Sequence, residues 1–399
     1  MPMPKGAEEL LIALQTPSPK GHWGIPALLW GAPGEGKSSF VESLKGPDFP
    51  VVTLIASIHD PTDFSGLPMQ ENGRVRFVPP EWTFAFDDTE QGILFLDELT
   101  TAPPSVQAAL LRVILERKVG FRDLPQGVRV IAAANPPDMV SGGWELSPPL
   151  RNRFVHIQWE WDEREYLTAL REGFAPATLP RIERSAHQEA VAHWKLLVDA
   201  FLRRSPQLLR TSSSAEEHAF ASPRTWEFAV HLMASCDLLG KAPKPGQPGS
   251  VVFTNLLQGC IGRGAAVAFV GFVKNLHLPD PEELLDGRGS PESIPRLRDD
   301  ELYVLFTTLG ASLIRRWHEH RADFLNAVEV FLNLAWAVCA DGRVDAIFAP
   351  MRQIARGGVL RQAILEAQNA GRLDTLQALL SRVFEETPLR EFVKTLVRE

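Results

Sequence analysis

The sequence predicts an α/β fold in which a parallel sheet is covered by helices on both faces and is followed by a long helical region. Two observations lead to this prediction. Over the first 160 residues, short apolar runs typical of buried strands alternate with amphipathic helical stretches. After about residue 160, strand-like runs nearly disappear, and a stretch rich in Pro, Gly and acidic residues at 277–299 separates two helical regions.

Length, net charge and cysteine content exclude several kinds of protein. The 399 residues suffice for two or three domains, and the net charge of -8 argues against a broad basic surface for nucleic acid. The three cysteines, Cys236, Cys260 and Cys339, form no CxxC pair, which argues against a zinc site or a disulfide framework. No signal-like N-terminus or membrane-length apolar run is present, so we expect a cytoplasmic protein.

The individual elements follow from hydrophobic spacing and turn residues. The predicted strands are 27–30, 51–57, 92–98, 127–135 and 154–159, and the predicted helices between and before them are 7–14, one from Ser38 onward, and 103–116. A helix start capped by Asp60 and Thr62 is expected after the second strand. A hairpin that turns at Asn72-Gly73 should follow it.

A phosphate-binding loop is predicted between the first strand and the next helix. Gly31, Gly36, Lys37 and Ser38 match G-x-x-x-x-G-K-[ST] at every fixed position. The expected contacts come from the whole segment, namely Gly31, Ala32, Pro33, Gly34, Glu35, Gly36, Lys37, Ser38 and Ser39. Backbone N–H groups would face phosphate oxygens, Lys37 would reach the β- and γ-phosphates, and Ser38 would hold Mg²⁺. The alternative is a glycine turn that opens a helix by chance.

Polar residues at the ends of two later strands supply the chemistry that such a loop needs. Asp97 and Glu98 end the strand 92–98, where Asp97 can bind Mg²⁺ and Glu98 can polarise the attacking water. Asn135 ends the next strand and can hydrogen-bond that water or the γ-phosphate. The alternatives are an ordinary acidic loop and a turn asparagine before Pro136.

Taken in order, these motifs resemble the AAA+ ATPases over roughly residues 20–275. The resemblance rests on GAPGEGKS, LFLDE, AAAN at 132–135 as sensor 1, LRNRF at 150–154 as the arginine-finger region and SPRTW at 222–226 as sensor 2. It implies a hexamer with ATP at the subunit interfaces, and Arg153 acting in trans, with Arg151 as a second candidate. It also implies that Arg224 contacts nucleotide from the same subunit's lid, and that Trp23 to Ile25 lie near the base.

Within that family the sequence looks like the MoxR-like, helix-2-insert group of the dynein-related type. HDPTDFSGLP at 59–68 with the hairpin after it, and VGFRDLPQG at 119–127, stand where those proteins carry two pore-facing hairpins. The resemblance implies a nucleotide-binding domain at 1–159 and a helical lid at 160–276, and the residue pattern adds a connector at 277–299 and a helical region at 300–399. Phe77 and Phe121 are the candidates for gripping a threaded chain in a pore, and the alternative is that these hairpin aromatics pack internally.

The function that this resemblance implies is ATP hydrolysis that remodels or matures a protein partner, such as a von Willebrand factor A-domain protein. Lys37, Glu98, Asn135 and Arg153 would be its catalytic residues, and ATP and Mg²⁺ its cofactors. One alternative is a nucleic-acid motor, a helicase or a GTP-driven restriction subunit, with Arg74, Arg76, Lys118 and Arg122 forming a basic pore. Another is a slow nucleotide-dependent switch or scaffold.

Overall fold

The computed structural model describes residues 2–136, 143–174, 177–212, 218–243, 249–276, 278–289 and 291–385. The chain forms two compact units. The first is Met1–Val198 with Ser205–Gly271, and the second is Asp199–Arg204 with Phe272–Glu399. The predicted lid and connector boundaries remain predictions, and residues 386–399 of the predicted C-terminal region lie outside the described residues.

Strands occur in the first unit. In chain order they are β1 (Ala27–Trp30), β2 (Val51–Ile55), β3 (Leu67–Glu71), β4 (Arg74–Val78), β5 (Gln91–Asp97), β6 (Lys118–Val119), β7 (Arg122–Asp123), β8 (Gly127–Ala134) and β9 (Val155–Gln158). Five of them form one parallel sheet in the order β2-β5-β8-β1-β9. These five are the strands that the sequence predicts, each within a few residues of the predicted bounds, so the predicted α/β class is confirmed.

Helices surround this sheet and make up the second unit. The helices that begin in the first unit are α1 (Ala7–Gln15), α2 (Lys37–Ser43), α3 (Thr62–Ser65), α4 (Pro104–Glu116), α5 (Pro148–Arg151), α6 (Glu163–Glu172), α7 (Arg184–Arg204), α8 (Pro223–Leu238), α9 (Val251–Ile261) and α10 (Arg263–Lys274). The later helices are α11 (Pro281–Leu285), α12 (Asp299–His318), α13 (Phe324–Ala340), α14 (Asp345–Arg356), α15 (Val359–Asn369) and α16 (Leu373–Glu385). Helices α7 and α10 contribute residues to both units.

The central strands carry few polar residues because both of their faces are covered. All eight residues of β8 are buried. On one face, Leu94 and Val130 pack into a core with Leu110 and Val113 of α4. This packing explains why the strands read as continuous apolar runs rather than as alternating ones. It also leaves the strand ends as the places where polar side chains can gather.

Two hairpins lie outside the sheet and contact each other. The first joins β3 to β4 through Asn72 and Gly73, whose φ angles of 51° and 75° are those of the expected tight turn. The second joins β6 to β7. The Phe121 N–H donates to the carbonyl of Phe77 at 3.2 Å, and a Cβ on Gly120 would lie 2.2 Å from that oxygen. The hairpins therefore meet backbone to backbone.

The predicted cap of the short helix before the first hairpin is wrong. Helix α3 has only four residues, its N-cap is Pro61, and no side chain caps it. Asp60 lies one residue too early to cap it, and Thr62 is already inside the helix. The Asp63 carboxylate instead accepts a hydrogen bond from the Asp60 N–H at 3.0 Å.

The second unit has its own apolar core, formed largely by α12 to α16. Arg316 of α12 is 1% exposed and pairs with Glu282 at 2.5 Å, Asp286 at 2.8 Å and Asp323 at 2.7 Å. These ion pairs join α11 and the start of α13 to α12. Of the helices that the structure describes, none is long and apolar enough to cross a membrane.

Helix α9 packs directly on the edge strand β9 because Gly259 has no side chain. A Cβ at this position would lie 2.1 Å from the carbonyl oxygen of His156. We expect Gly259→Ala to lower the free energy of unfolding by about 1–3 kcal/mol, because α9 must move off the strand. Urea denaturation followed by tryptophan fluorescence measures this change.

Gly271→Ala is the matched control, since Gly271 also lies in a helix but nothing is within 4 Å of its added Cβ. This variant should be neutral or more stable by up to about 1 kcal/mol. Equal destabilisation by both substitutions would contradict the close approach of α9 to β9.

Candidate nucleotide-binding site

The loop between β1 and α2 has the backbone that a phosphate cradle requires. Gly34 and Gly36 have φ angles of 86° and 72°, a region that other residues rarely adopt. Gly31 approaches the chain closely, since a Cβ there would lie 2.4 Å from the carbonyl oxygen of Trp159. Helix α2 then begins at Lys37, with Gly36 as its N-cap and no capping side chain. Its first N–H groups thus remain available to an anion.

Lys37 connects this loop to the end of β8. Its side chain is buried, and Nζ donates to the carbonyls of Gly31 at 2.7 Å and Ala32 at 2.9 Å. Nζ also donates to Oδ1 of Asn135 at 3.1 Å. Burial lowers the pKa of Lys37, while Asp97 and Glu35 act in the opposite direction. The structure thus brings together the lysine and the amide that the sequence singled out.

Ser38 and Asp97 form the second pair of predicted residues that meet. The Ser38 hydroxyl donates to Oδ2 of Asp97 at 2.7 Å, which joins the start of α2 to the end of β5. A hydroxyl and a carboxylate this close fit Mg²⁺, which takes few protein oxygens and completes its shell with water and phosphate oxygens. Among the described residues, no group of three or more His, Cys, Asp or Glu side chains could hold a metal ion alone.

Glu98 follows Asp97 with a φ of 56°, in the left-handed region that is uncommon for residues other than glycine. Its carbonyl accepts hydrogen bonds from the Thr101 N–H and hydroxyl, which hold this turn in place. Its carboxylate Oε2 accepts a hydrogen bond from the Ser57 hydroxyl at 3.2 Å.

Ser57 is a site residue that the sequence interpretation missed. It follows β2, and β2 pairs with β5 in a register that sets Ile55 beside Asp97. The sequence shows a polar residue at the end of this strand, but it does not show that the strand is the neighbour of β5.

A cavity of about 920 Å³ lies against β9, the strand beside β1 in the sheet. Its lining includes Lys5 and Gly6 before α1, Gln158 of β9, and Asn255 and Gln258 of α9. The Lys5 N–H donates to the carbonyl of Glu160 at 2.8 Å, which fixes the N-terminal segment at this edge.

The expectation that Trp23 to Ile25 lie near a nucleotide base is wrong for this chain's own loop. These residues precede β1, and the Trp23 N–H donates to the carbonyl of Gln126 just before β8. They therefore lie at the amino edge of the sheet, whereas the phosphate loop lies at the carboxyl edge.

The candidate arginines also lie at the amino edge. Arg151 and Arg153 precede β9, whose first residue, Val155, pairs with Ala27 at the start of β1. Arg224, in the first turn of α8, donates to Oδ1 of Asn152 at 3.2 Å. Burial and the Arg224 charge lower the pKa of Arg153, and Glu116 opposes them. The structure groups Arg224 with Arg153 and does not bring it to the phosphate loop of its own chain.

A hydrogen-bonded chain connects the two edges. The Trp30 indole N–H donates to Nδ1 of His156 at 2.9 Å, so the other ring nitrogen of His156 carries the proton. That Nε2–H donates to the carbonyl of Arg151 at 3.0 Å. Burial lowers the pKa of His156 to about 3, so the ring is neutral near pH 7. Trp30 is the last residue before the phosphate loop.

The basic hairpin residues that suggested a nucleic-acid pore are largely paired with acids. Arg76 pairs with Glu71 at 3.1 Å, Lys118 pairs with Asp123 at 3.2 Å, and Arg122 pairs with Asp87. Phe77 and Phe121 are 49% and 53% exposed, so neither ring is packed into the core.

Comparison with known proteins finds relatives of the segment that carries this site. Residues 26–154, which run from β1 to the start of β9, match the family model of the AAA domain of the dynein-related subfamily. This segment is therefore similar to the AAA domains of that subfamily. The resemblance to MoxR-like AAA+ proteins is confirmed by the chaperone MoxR1 of Mycobacterium tuberculosis, to which the chain is 30% identical over 247 residues.

That alignment covers 54% of this chain and 60% of MoxR1. The Psp operon transcriptional activator of Escherichia coli is 30% identical over 193 residues, which are 37% of this chain and 56% of that protein. The chain therefore spans less than two thirds of the length of either relative. A solved structure of a candidate ATPase from Cytophaga hutchinsonii aligns at 19% identity and a TM-score of 0.39, covering 60% of this chain and 77% of that one.

Protonation of the buried His156 should destabilise the first unit in acid. Its native pKa of about 3 lies below the usual 6.5, so the contribution of His156 to stability is constant above about pH 6.5 and is lost as the pH drops towards 3. His156→Gln should make the free energy of unfolding fall less steeply, by up to about 1.4 kcal/mol per pH unit.

Urea denaturation between pH 7 and pH 4 measures both slopes. His318→Gln removes an exposed histidine and should leave the slope of the parent protein unchanged. A parent slope that survives in His156→Gln would mean that other histidines whose pKa burial lowers, namely His22, His187, His193, His218 and His231, account for the acid sensitivity.

Proposed function

We propose that this protein is a MoxR-type AAA+ ATPase that hydrolyses ATP with Mg²⁺ at interfaces between copies of the chain and uses the energy to remodel a protein client. The observation that carries this proposal is the convergence of Lys37, Asn135, Ser38 and Asp97 at one edge of the sheet. The AAA domain and the similarity to a MoxR chaperone support it.

Different residues of the chain have separate roles in the proposed hydrolysis. The loop N–H groups and Lys37 bind the phosphates, with Lys37 exchanging its carbonyl partners for phosphate oxygens. Ser38 and Asp97 would hold Mg²⁺, which would supply positive charge to offset that of the phosphates. Glu98 leaves Ser57 to accept a proton from the attacking water, and Asn135 orients that water. Ser57 thereby acts as a positioning residue for Glu98.

The cavity against β9 is the proposed site for the nucleoside. Its 920 Å³ lies within the range of small-molecule pockets, and Trp159, the residue that follows β9, approaches Gly31 of the phosphate loop closely. Asn255 and Gln258 offer amide groups that can hydrogen-bond the edge of a base, which favours recognition by hydrogen bonding over stacking alone.

The proposed ring follows from the separation of the two edges. Arg153 lies at the edge opposite the phosphate loop of its own chain, so it serves the nucleotide of a neighbouring copy. Arg224 stands beside Arg153, and we place it in the same role, in trans rather than from the same subunit's lid. Guanidinium groups at that position stabilise the charge that develops on the γ-phosphoryl group.

The β3–β4 hairpin is the proposed surface for the client. Leu67, Met69, Val75 and Phe77 are 49–63% exposed, an unusual density of apolar side chains for two short strands. A von Willebrand factor A-domain protein in the cytoplasm remains the proposed kind of client. The ion pairs of Arg76, Lys118 and Arg122 make the nucleic-acid motor the weaker alternative.

Phosphate release from ATP and GTP, measured against protein concentration, tests the activity. We expect specific activity to rise with concentration, because each site needs a neighbour, and Glu98→Gln to reduce it at least 100-fold. Nucleotide binding should persist in this variant. Turnover that stays near zero at every concentration while nucleotide binds would instead favour the slow switch.

Mixing two inactive variants tests whether Arg224 acts in trans. Lys37→Ala chains lack a working loop and Arg224→Ala chains lack the arginine, so a mixed ring contains some interfaces with both groups intact. Partial recovery of ATP hydrolysis on mixing is the expected result. If Arg224 served its own chain's nucleotide, the mixture would stay as inactive as the separate variants. Lys37→Ala mixed with Glu98→Gln is the control that should not recover.

A further inference from the structure

Helix α6 exposes a group of large apolar side chains. Tyr166, Leu167, Leu170 and Phe174 are 41–61% exposed, and in α6, all of which the structure describes, only Ala169 is buried. Tyr166 and Leu170 are four residues apart and therefore share one side of the helix. The ring of Phe174, just after the helix, lies 6.3 Å from that of Tyr166. A continuous apolar surface of this kind marks a contact with another molecule.

Trp161 connects these side chains to the phosphate loop. Its ring centroid lies 5.7 Å from those of both Tyr166 and Phe174. Its backbone N–H donates to Oε2 of Glu35 at 3.1 Å, and its indole nitrogen would lie 3.8 Å from a Cβ on Gly36. A molecule that covers the phosphate loop therefore also meets this surface. The α6 patch consists of Trp161, Tyr166, Leu167, Leu170 and Phe174.

A cavity of about 620 Å³ lies at the opposite, amino edge of the sheet. The segment before β1, the end of α4 and the first turn of α8 form its walls. Its volume is that of a small-molecule pocket, so it can admit a leucine or an aromatic side chain. The apolar part of its lining consists of Pro19, Pro26, Ile114, Leu115 and Phe228.

The α6 patch and the amino-edge cavity lie in surroundings of opposite charge. In the lining of the cavity, Lys20, Arg117 and Arg224 face a single acid, Glu227, which leaves an excess of two positive charges. Residues 160–174, which carry the patch, include five acidic residues and two arginines, a net charge of -3. Complementary charge favours the pairing of these two surfaces and fixes its orientation.

We propose that the α6 patch of one copy of the chain packs into the amino-edge cavity of the next copy. This inference rests on the proposed ring, in which Arg153 and Arg224 of one copy reach the phosphate loop of another. Arg224 lines the cavity and Trp161 adjoins the loop, so the approach that delivers the arginine also brings the cavity to the patch. Because the two surfaces differ, the contact repeats head to tail, as a ring requires.

Chemical cross-linking tests this contact without depending on activity. Leu170→Cys places a thiol in the α6 patch and Leu115→Cys places one in the cavity wall, while the native Cys236, Cys260 and Cys339 are buried. With ATP present, a short bismaleimide should join the two variants into a dimer when they are mixed. Neither variant alone should form a dimer, because a head-to-tail contact does not bring two identical positions together.

Val267→Cys is the matched control for cross-linking. Val267 is an apolar residue of α10 that is 55% exposed and belongs to neither surface. Its mixture with Leu115→Cys should therefore give no dimer.

Leu170→Lys tests the importance of the contact for assembly. A lysine at this exposed position leaves the fold intact but would enter an apolar cavity beside Lys20 and Arg224. The protein concentration that gives half-maximal ATP hydrolysis should rise at least tenfold, whereas nucleotide affinity should stay unchanged. Val267→Lys makes the same change at a similarly exposed position and should alter neither quantity.

Several results would overturn the proposal, and they separate it from the proposed function. Hydrolysis that rises with protein concentration but gives no cross-link would overturn this contact and leave the ring intact. A chain that sediments as a monomer with ATP, at every concentration, would overturn both. A dimer formed by Leu170→Cys alone would show two patches in contact and overturn the head-to-tail pairing. Equal effects of Leu170→Lys and Val267→Lys would also contradict it.

Discussion

The parallel pairing of β1 with β8 and β9 is the constraint on which the rest of the site depends. Because Trp30 pairs with Ala134, the next residue of each chain segment, Gly31 and Asn135, must meet at the carboxyl edge. Because Ala27 pairs with Val155, Asn152 and Arg153 must lie at the amino edge. Strand β1 has four residues, so about 13 Å of sheet separates the two groups. One chain therefore cannot place Arg153 over its own phosphate loop without unfolding part of the sheet.

The same register lets one buried histidine, His156, form hydrogen bonds with residues from both edges of the sheet. Trp30 stands at the carboxyl end of β1, and its indole is long enough to reach back to His156. The ring of His156 then supports the carbonyl of Arg151 beneath the arginine segment. Both hydrogen bonds require the neutral ring with its proton on Nε2. Burial enforces that state, since a charged imidazolium would lose the bond from Trp30 and would sit without a counter-ion.

The sequence was most informative where local rules determine the outcome. Glycines and a lysine at fixed spacing predicted the loop, and acids at the end of a buried strand predicted Asp97 and Glu98, because parallel strands end at a common edge. Ser57 was not predicted as a site residue, because it lies near Glu98 only if β2 is the neighbour of β5. No local pattern of residues encodes this strand order.

The site assignments that did not follow from the sequence depend on tertiary contacts. The SPRTW motif predicted that Arg224 contacts nucleotide from the lid. The position of Arg224 depends, however, on where α8 packs. Ser222 caps that helix and at the same time donates to Asn152 at 2.9 Å, which holds the first turn of α8 at the amino edge. No spacing rule shows which end of a sheet a helix will contact when the helix follows a long helical stretch. The position of Trp23 has the same origin, since the bond to Gln126 is set by the pairing of distant segments.

Three arginines that are almost fully buried show how this protein treats charge in its interior. Arg316, 1% exposed, has three carboxylate partners, and Arg129, 4% exposed, donates to three oxygens of Leu14, Gly127 and Gln15 and packs near aromatic rings. Arg117, 2% exposed, has one carbonyl. Arg316 and Arg129 join separate elements of the fold, and residues of those elements supply their hydrogen-bond acceptors. Arg117 is the exception, and burial lowers the pKa of its guanidinium to about 9, because one carbonyl acceptor replaces little of the hydration that the charge loses.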